Sequence, residues 1–437
     1  MLRMVRTWVV VGVLVSLTIT ACGQQAPQTA TGKTYVPSTP EAGTAIPNAS
    51  VTFGMRPYAD NTFYVVGMQQ GWFKDVGINI NPAPYGLKTT EDQWLSILLN
   101  RQADVTTATC SLLLPSYRTT DQPKCLGLAV TFYGQAMLAN PDLHLKTVAQ
   151  YIQSGSSFTQ ALKQALTPLE GKTIYVPSGV ASKEFEEAPF KLAGLQLPHY
   201  VTMDDSQMLL LAKSGRADIV FPNGAPIAET LLQSGFTPVY DTGQLLKNGP
   251  GGLDSPIEPL VSNNGFAATA DYVSKHQTTV LRFASVMFRI FDALQKDPSL
   301  YGVYAPYLNS VAGTSLDAAG VERTVNDLDP FVPYDQQKKY FEDPKSSEYY
   351  KNSMGALINS LAKSGSIRQG ITPDQVMWAA PIYEELRGYQ RKTDTILRSA
   401  QGKQLSGHQE EMVQKAKQYY GWYDFLDAYR FAKAASL

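Results

Sequence analysis

Strands alternating with helices along 437 residues predict an α/β protein of two packed lobes. The length exceeds what a single hydrophobic core serves. Short β-rich runs are each followed by a stretch of helical period, the pattern of a parallel, helix-covered sheet. A formal charge of −1, with acids and bases intermixed, leaves no basic stripe for nucleic acid and no acidic tail for a disordered interaction segment.

The first 22 residues stand outside that fold. Arg3 and Arg6 make a positive start, and residues 8–17 (WVVVGVLVSL) form an apolar run too short to cross a bilayer. The run closes on Ile19-Thr20-Ala21-Cys22, which resembles the bacterial lipobox. That resemblance implies that Cys22 is lipidated and becomes the mature N-terminus of an exported, membrane-tethered protein. Residues 23–50 are rich in Thr, Ala, Pro, Gly and Gln, with Lys33 and Glu41 as their charges. Such a segment buries too little surface to order itself and reads as a flexible leash with a reach of roughly 30 Å.

The folded part opens with a strand at 51–55 (VTFGM) and a polar turn at 56–61. A helix over 62–70 ends at Gly71, a residue suited to the left-handed conformation just past a helix. Strands follow at 78–80, 103–108 and 125–133, with a helix at 95–99. In the second lobe 147–166 is mainly helical, and 169–195 (LEGKTIYVPSGVASKEFEEAPFKLAGL) reads as strand, turn and helix. Residues 172–176 are β-rich, Pro177-Ser178-Gly179 breaks them, and charges then alternate with apolar residues at helical spacing. A helix starting there aims free N–H groups and a positive dipole end above the strand. Strands at 199–202 and 217–221, helices at 205–214 and 225–233, and an edge strand at 237–240 complete that lobe. A strand at 260–268 and an amphipathic helix over 271–297 return the chain to the first lobe. Helices continue from there, one starting at Thr372-Pro373.

Two cysteines remain besides Cys22. An even count in an oxidising compartment invites a disulfide between Cys110 and Cys125. In a parallel strand–helix–strand unit, however, they fall at opposite ends of adjacent strands, about 15 Å apart. A disulfide needs Cα atoms within about 7 Å. Two free thiols are expected.

The order of parts resembles the type II solute-binding proteins of ABC transporters, in the branch that handles sulfonates, nitrate, taurine and thiamine-precursor pyrimidines. The stretches that carry the likeness are 63–80 (FYVVGMQQGWFKDVGINI), 98–105 (LLNRQADV), 169–195, 211–220 (LAKSGRADIV) and 267–283. Their order and spacing, across residues 50–387, make the match. The resemblance implies an α/β, two-lobed type II periplasmic-binding-protein fold with two hinge strands, near 134–140 and 255–262. Lobe one is 51–138 plus 256–387, lobe two 139–255, and 388–437 is an additional C-terminal helical extension. Its aromatic residues are expected to pack a helical hairpin across lobe one, the alternative being contact with a partner. A small-molecule ligand between the lobes and an ABC permease with its ATPase are the implied partners, to a monomer without cofactor or metal.

Motifs of catalysis fail on inspection. Gly171-Lys172-Thr173 precedes its strand, whereas a phosphate loop follows one, and the first glycine such a loop needs is Leu166. Ser360 and Lys363 match a Ser-x-x-Lys pattern in a helical stretch rich in both residues. The four histidines show no metal-ligand spacing. Binding is the reading left, and ligands of open α/β sheets collect at the C-terminal ends of strands. The polar residues there are Arg56, Tyr58, Asp60, Asn61, Thr109 and Ser111 in lobe one. In lobe two they are Ser178, Gly179, Ser182, Asn223 and Gly224, with Asn263 and Asn264 near the second hinge. Each also reads as a turn or capping residue. Arg56 and the helix start at Ser178 suit an oxyanion, whereas Asp60 favours a ligand with N–H or O–H donors; a small polar organic ligand is expected. Tyr58, Tyr64 and Phe132 are candidates to stack on a ring. A sensor using the same cleft for signalling is the alternative function.

Overall fold

The computed structural model describes residues 33–133, 135–177, 180–251 and 263–436. The strands among them are β1 (Ala49–Met55), β2 (Ile78–Asn81), β3 (Leu87–Lys88), β4 (Val105–Thr109), β5 (Pro123–Thr131), β6 (Ala136–Ala139), β7 (Thr173–Val176), β8 (His199–Thr202), β9 (Ile219–Val220), β10 (Thr237–Asp241) and β11 (Asn263–Thr269). They form two sheets, one ordered β2–β1–β4–β11–β5 with β3 paired to β1, the other β10–β6–β9–β7–β8.

The sheets are mixed rather than parallel. β1 is parallel to β2, β3 and β4, but β11 runs antiparallel between β4 and β5. In the second sheet β7 is parallel to β8 and β9, while β6 opposes β9 and β10. β6 and β11 are the first strands after the chain changes sheet, so neither is preceded by a helical crossover in its own sheet. The changes occur between Thr131 and Ala136 and between Asn248 and Asn263. Gly134 and 255–262, within the expected hinges, lie outside the described residues.

Apolar periodicity explains the packing. Helix Phe158–Leu166 starts at the Ser157/Gln160 capping box and buries Ala161, Leu162, Ala165 and Leu166 along one stripe. That stripe joins Ile174, Phe190 and Val239 on one side of the second sheet. Leu138, Met208, Val220 and Leu231 cluster separately within the same lobe. In the first lobe the Phe283 ring lies 4.9 Å from Phe266, 5.0 Å from Phe53 and 5.5 Å from Tyr64. Tyr64 is therefore core and not a ligand-stacking ring. Gly265 is required where β11 meets β5: a Cβ there would stand 1.7 Å from the carbonyl oxygen of Gly127. The helix expected over 271–297 is two helices, Ala270–Lys275 and Gln277–Lys296, broken at His276.

Three expectations are corrected. Cys110 and Cys125 form a disulfide, with Cα atoms 5.5 Å apart. The expected parallel crossover is replaced by a 3₁₀ segment, Cys110–Arg118, that turns back over β5 and β11 and brings the two residues together. Second, from residue 33 the supposed leash is a docked arm. The Tyr35 hydroxyl donates to Glu385 at 2.6 Å, Glu41 pairs with Arg282 at 2.9 Å, and Arg430 donates to the carbonyls of Glu41, Gly43 and Ala45 at 2.8–3.1 Å. The arm gains from lobe one and the C-terminal extension the partners its own composition lacks. Third, β6 belongs to the second sheet, so lobe two begins before residue 139.

The extension consists of the last turns of helix Ala379–Ala400 with helices Gly407–Gly421 and Phe425–Ala434. It packs on lobe one: Arg289 lies between the rings of Trp72 and Trp422, 4.7 and 4.2 Å from their centres, and the Tyr419 hydroxyl donates to the Asp75 carbonyl at 3.1 Å. Among the described residues no helix is long and apolar enough to cross a membrane.

Candidate functional site

The C-terminal ends of β1 and β4 converge on one buried polar cluster. β1 ends at Met55, and the following turn places Arg56 beneath the rim with 2 % of its side chain exposed. Its guanidinium donates to Glu91 at 2.8 Å, to Asn61 at 2.9 Å and to Thr109 at 3.0 Å. Asn61 and Asn264 both donate to the Asp60 carboxylate. Five of the residues expected from sequence, Arg56, Asp60, Asn61, Thr109 and Asn264, are thus brought together by hydrogen bonds.

The cluster is largely self-satisfied, which corrects the expected role of Arg56. A guanidinium that bonds a carboxylate, an amide and a hydroxyl of its own chain is engaged before any oxyanion arrives. Burial alone would lower its pKa, but Glu91 and Asp60 outweigh burial and raise it. Burial pushes the Asp60 carboxyl up, against the opposing pull of Arg56 and the two amides. Beside it Asp329 is raised further, by burial and by the Asp60 charge, against the weaker pull of the Asp60 main-chain N–H.

Next to this cluster a cavity of about 220 Å³ opens between the lobes. Lobe one contributes Pro57, Tyr58, Thr90, Glu91 and Asp92, and lobe two Pro177, Met203, Asp204, Asp205, Asn223 and Gly224. Asp205 crosses to the start of helix Ala225–Gln233, accepting from the backbone N–H groups of Asn223 at 3.1 Å and Gly224 at 2.7 Å. Burial pushes the Asp205 carboxyl up to about 6, although those two donors pull it down. The Asn223 side chain accepts from Gln135 at 3.3 Å, fixing its amide.

Tyr58, Asn223 and Gly224 therefore stand where the sequence reading puts them, on the cavity wall. Ser111 sits on the 3₁₀ segment and does not join the hydrogen bonds of the cluster. Asn263 pairs with Thr131 on β5, its side chain 3.5 Å from the threonine hydroxyl. Ser178 and Gly179 lie outside the described residues, next to the cavity-lining Pro177, and Ser182 falls in helix Val180–Ala193. Sequence reasoning missed Glu91, Asp92, Asp204 and Asp205. A signal was present: Asp204-Asp205 and Glu91-Asp92 follow β8 and β3 closely, at the same strand ends that single out Arg56.

No family model matches the chain, and no curated protein matches it. Solved structures do. A protein described as a putative sulfonate ABC transporter, periplasmic sulfonate-binding protein, from Methylobacillus flagellatus is 13 % identical. The match covers 78 % of this chain and 95 % of that one, with a TM-score of 0.51. The periplasmic nitrate-binding protein of Synechocystis is 14 % identical over 80 % of this chain and 90 % of its own, also with a TM-score of 0.51. At such identities the likeness is one of fold: this chain has the two-lobed architecture of these proteins, with extra helices at its C-terminus.

Proposed function

We propose that the protein is an extracytoplasmic receptor that binds a small polar organic molecule between its lobes and delivers it to an ABC permease and its ATPase. The observation that carries the proposal is the cavity between the sheets, walled by both lobes at their C-terminal strand ends. A ligand held there touches Tyr58 and Glu91 on one side and Asp204 and Asn223 on the other. It therefore favours the closed arrangement by its differential contacts, as hinge closure requires. The shared fold of the sulfonate- and nitrate-binding structures supports the same reading.

Tethering through a lipid on Cys22 belongs to the proposal and rests on the lipobox-like Ile19-Thr20-Ala21-Cys22. Residues 35–45 are docked on the folded body and do not belong to the tether. A receptor of this kind works as a monomer.

A thermal-shift screen of sulfonates, nitrate, pyrimidines, vitamins, amino acids and amines tests the receptor reading. A ligand present at 100 times its Kd stabilises the folded chain by about 2.7 kcal/mol, an easily read shift. Gly224→Leu fills the cavity, since even a Cβ at this position lies 3.0 Å from Asp205 and 3.7 Å from Tyr58. The shift must vanish in that variant. A hit that survives Gly224→Leu binds elsewhere and contradicts the proposal.

A further inference from the structure

We infer that the inter-lobe cavity selects a positively charged small molecule, such as an amine, quaternary ammonium or guanidine compound, and rejects free anions. The inference rests on the receptor reading above and specifies the ligand class of the same site. The cavity and its two-lobed walls make the site; its lining sets the polarity. Lobe one brings Asp92 and Glu91, the latter paired with Arg56, and lobe two Asp204 and Asp205; among the described residues that line the space there is no Lys or Arg. The nearest guanidinium, that of Arg56, is sealed behind the wall by Glu91, Asn61 and Thr109.

Closure sharpens the argument. Carboxylates on opposite lobes repel as the cleft narrows; burial is the main upward push on Asp205, and Asp204 and Glu91 add smaller ones. An anionic ligand adds to that repulsion. A cation between the lobes removes it, and its charge is then neutralised by partners from both sides. The Tyr58 ring on the same wall offers a face for an alkylammonium or guanidinium group, and it already lies 5.8 Å from the Arg56 guanidinium carbon. Met203, Pro57, Pro177 and Ile227 supply apolar contact for a carbon skeleton. The cavity thus combines an aromatic face, apolar walls and carboxylates, the set that distinguishes an organic cation from an inorganic one.

The experiment is a paired calorimetric titration of the chain from residue 23 onward with size-matched compounds of opposite charge. Choline, short diamines and guanidines form one arm; alkanesulfonates, nitrate and short carboxylates form the other. Asp204→Asn is the diagnostic variant, because the Asp204 side chain makes no capping hydrogen bond to its helix. At least one cation is expected to bind, and Asp204→Asn to weaken it about tenfold or more, as loss of a charged contact does. Asp142→Asn, on the short 3₁₀ turn Pro141–Leu143 away from the cavity, should leave affinity unchanged. Tight binding of an anion, strengthened by Asp204→Asn, overturns the ligand class but leaves the receptor standing. So does a neutral ligand indifferent to Asp204→Asn. Silence in both arms, and across the wider thermal-shift screen, overturns the receptor reading as well.

Discussion

Replacing Arg282 with Met isolates the contact that fastens the arm and the C-terminal extension to lobe one. Arg282 is 2 % exposed and donates to Asp427 at 2.7 and 3.0 Å and to Glu41 at 2.9 and 3.0 Å. Met fills much of the volume but leaves Asp427, fully buried, with Arg430 as its remaining ion-pair partner and Asp424 beside it. Removing one member of a buried ion pair costs about 3–5 kcal/mol, and the surviving Arg430 places this case at about 3. Glu41 is 29 % exposed, so its share is below about 1 kcal/mol, and Glu41→Gln supplies an internal scale. Because the entropy of unfolding grows with chain length, a kcal/mol moves Tm by roughly 1–2 °C in a folded body of this size, so a fall of about 3–6 °C is expected by differential scanning calorimetry. A fall below 2 °C, or one no larger than that of Glu41→Gln, would refute the reasoning and return the arm to the status of a leash.

Three further outcomes follow from other parts of the molecule. Removing the Cys110–Cys125 disulfide by the double Ala substitution opens a loop of sequence separation 15 and should cost about 3 kcal/mol, read as a lower denaturation midpoint. Lys124 is buried, bonded to the Gln375 carbonyl at 2.6 Å and to the Tyr117 hydroxyl at 3.2 Å, and burial pushes its pKa down to about 8. Between pH 8 and the ordinary lysine value the unfolded chain binds the extra proton, so stability should rise with pH there. Lys124→Met should abolish that rise in a pH series of melting curves. Asp205, pushed up to about 6, is neutral in acid, so cation affinity should be weaker at pH 5 than at pH 7.5, and Asp205→Asn should flatten the profile.

The course of the chain was readable where local chemistry decided it. Helix Ala225–Gln233 lies where its apolar spacing and Pro226 place it, and β10 is the edge strand that Pro238 permits. The mixed direction of the sheets was not readable, because β6 and β11 owe their orientation to a change of lobe and not to local propensity. The same fact hid the disulfide: with β11 inserted between β4 and β5, a spacing argument built on adjacent parallel strands does not apply. The arm was misjudged for a related reason, since its order comes from Arg282, Glu385 and Arg430, more than 200 residues away in the chain.

Strand-end logic picked out Arg56, Tyr58, Asp60, Asn61, Thr109, Asn223, Gly224 and Asn264, which the structure gathers in the polar cluster or on the cavity wall, but it did not give their hydrogen-bond partners. Sequence cannot tell a guanidinium that faces a ligand from one engaged by Glu91, 35 residues on.

Calorimetric titration of the wild-type chain and of Gly224→Leu with the best compound from the thermal-shift screen tests the central claim most directly. The account predicts one-to-one binding in the wild type and none in the variant, whose melting temperature should stay within a few degrees. Equal binding by the two proteins would contradict it.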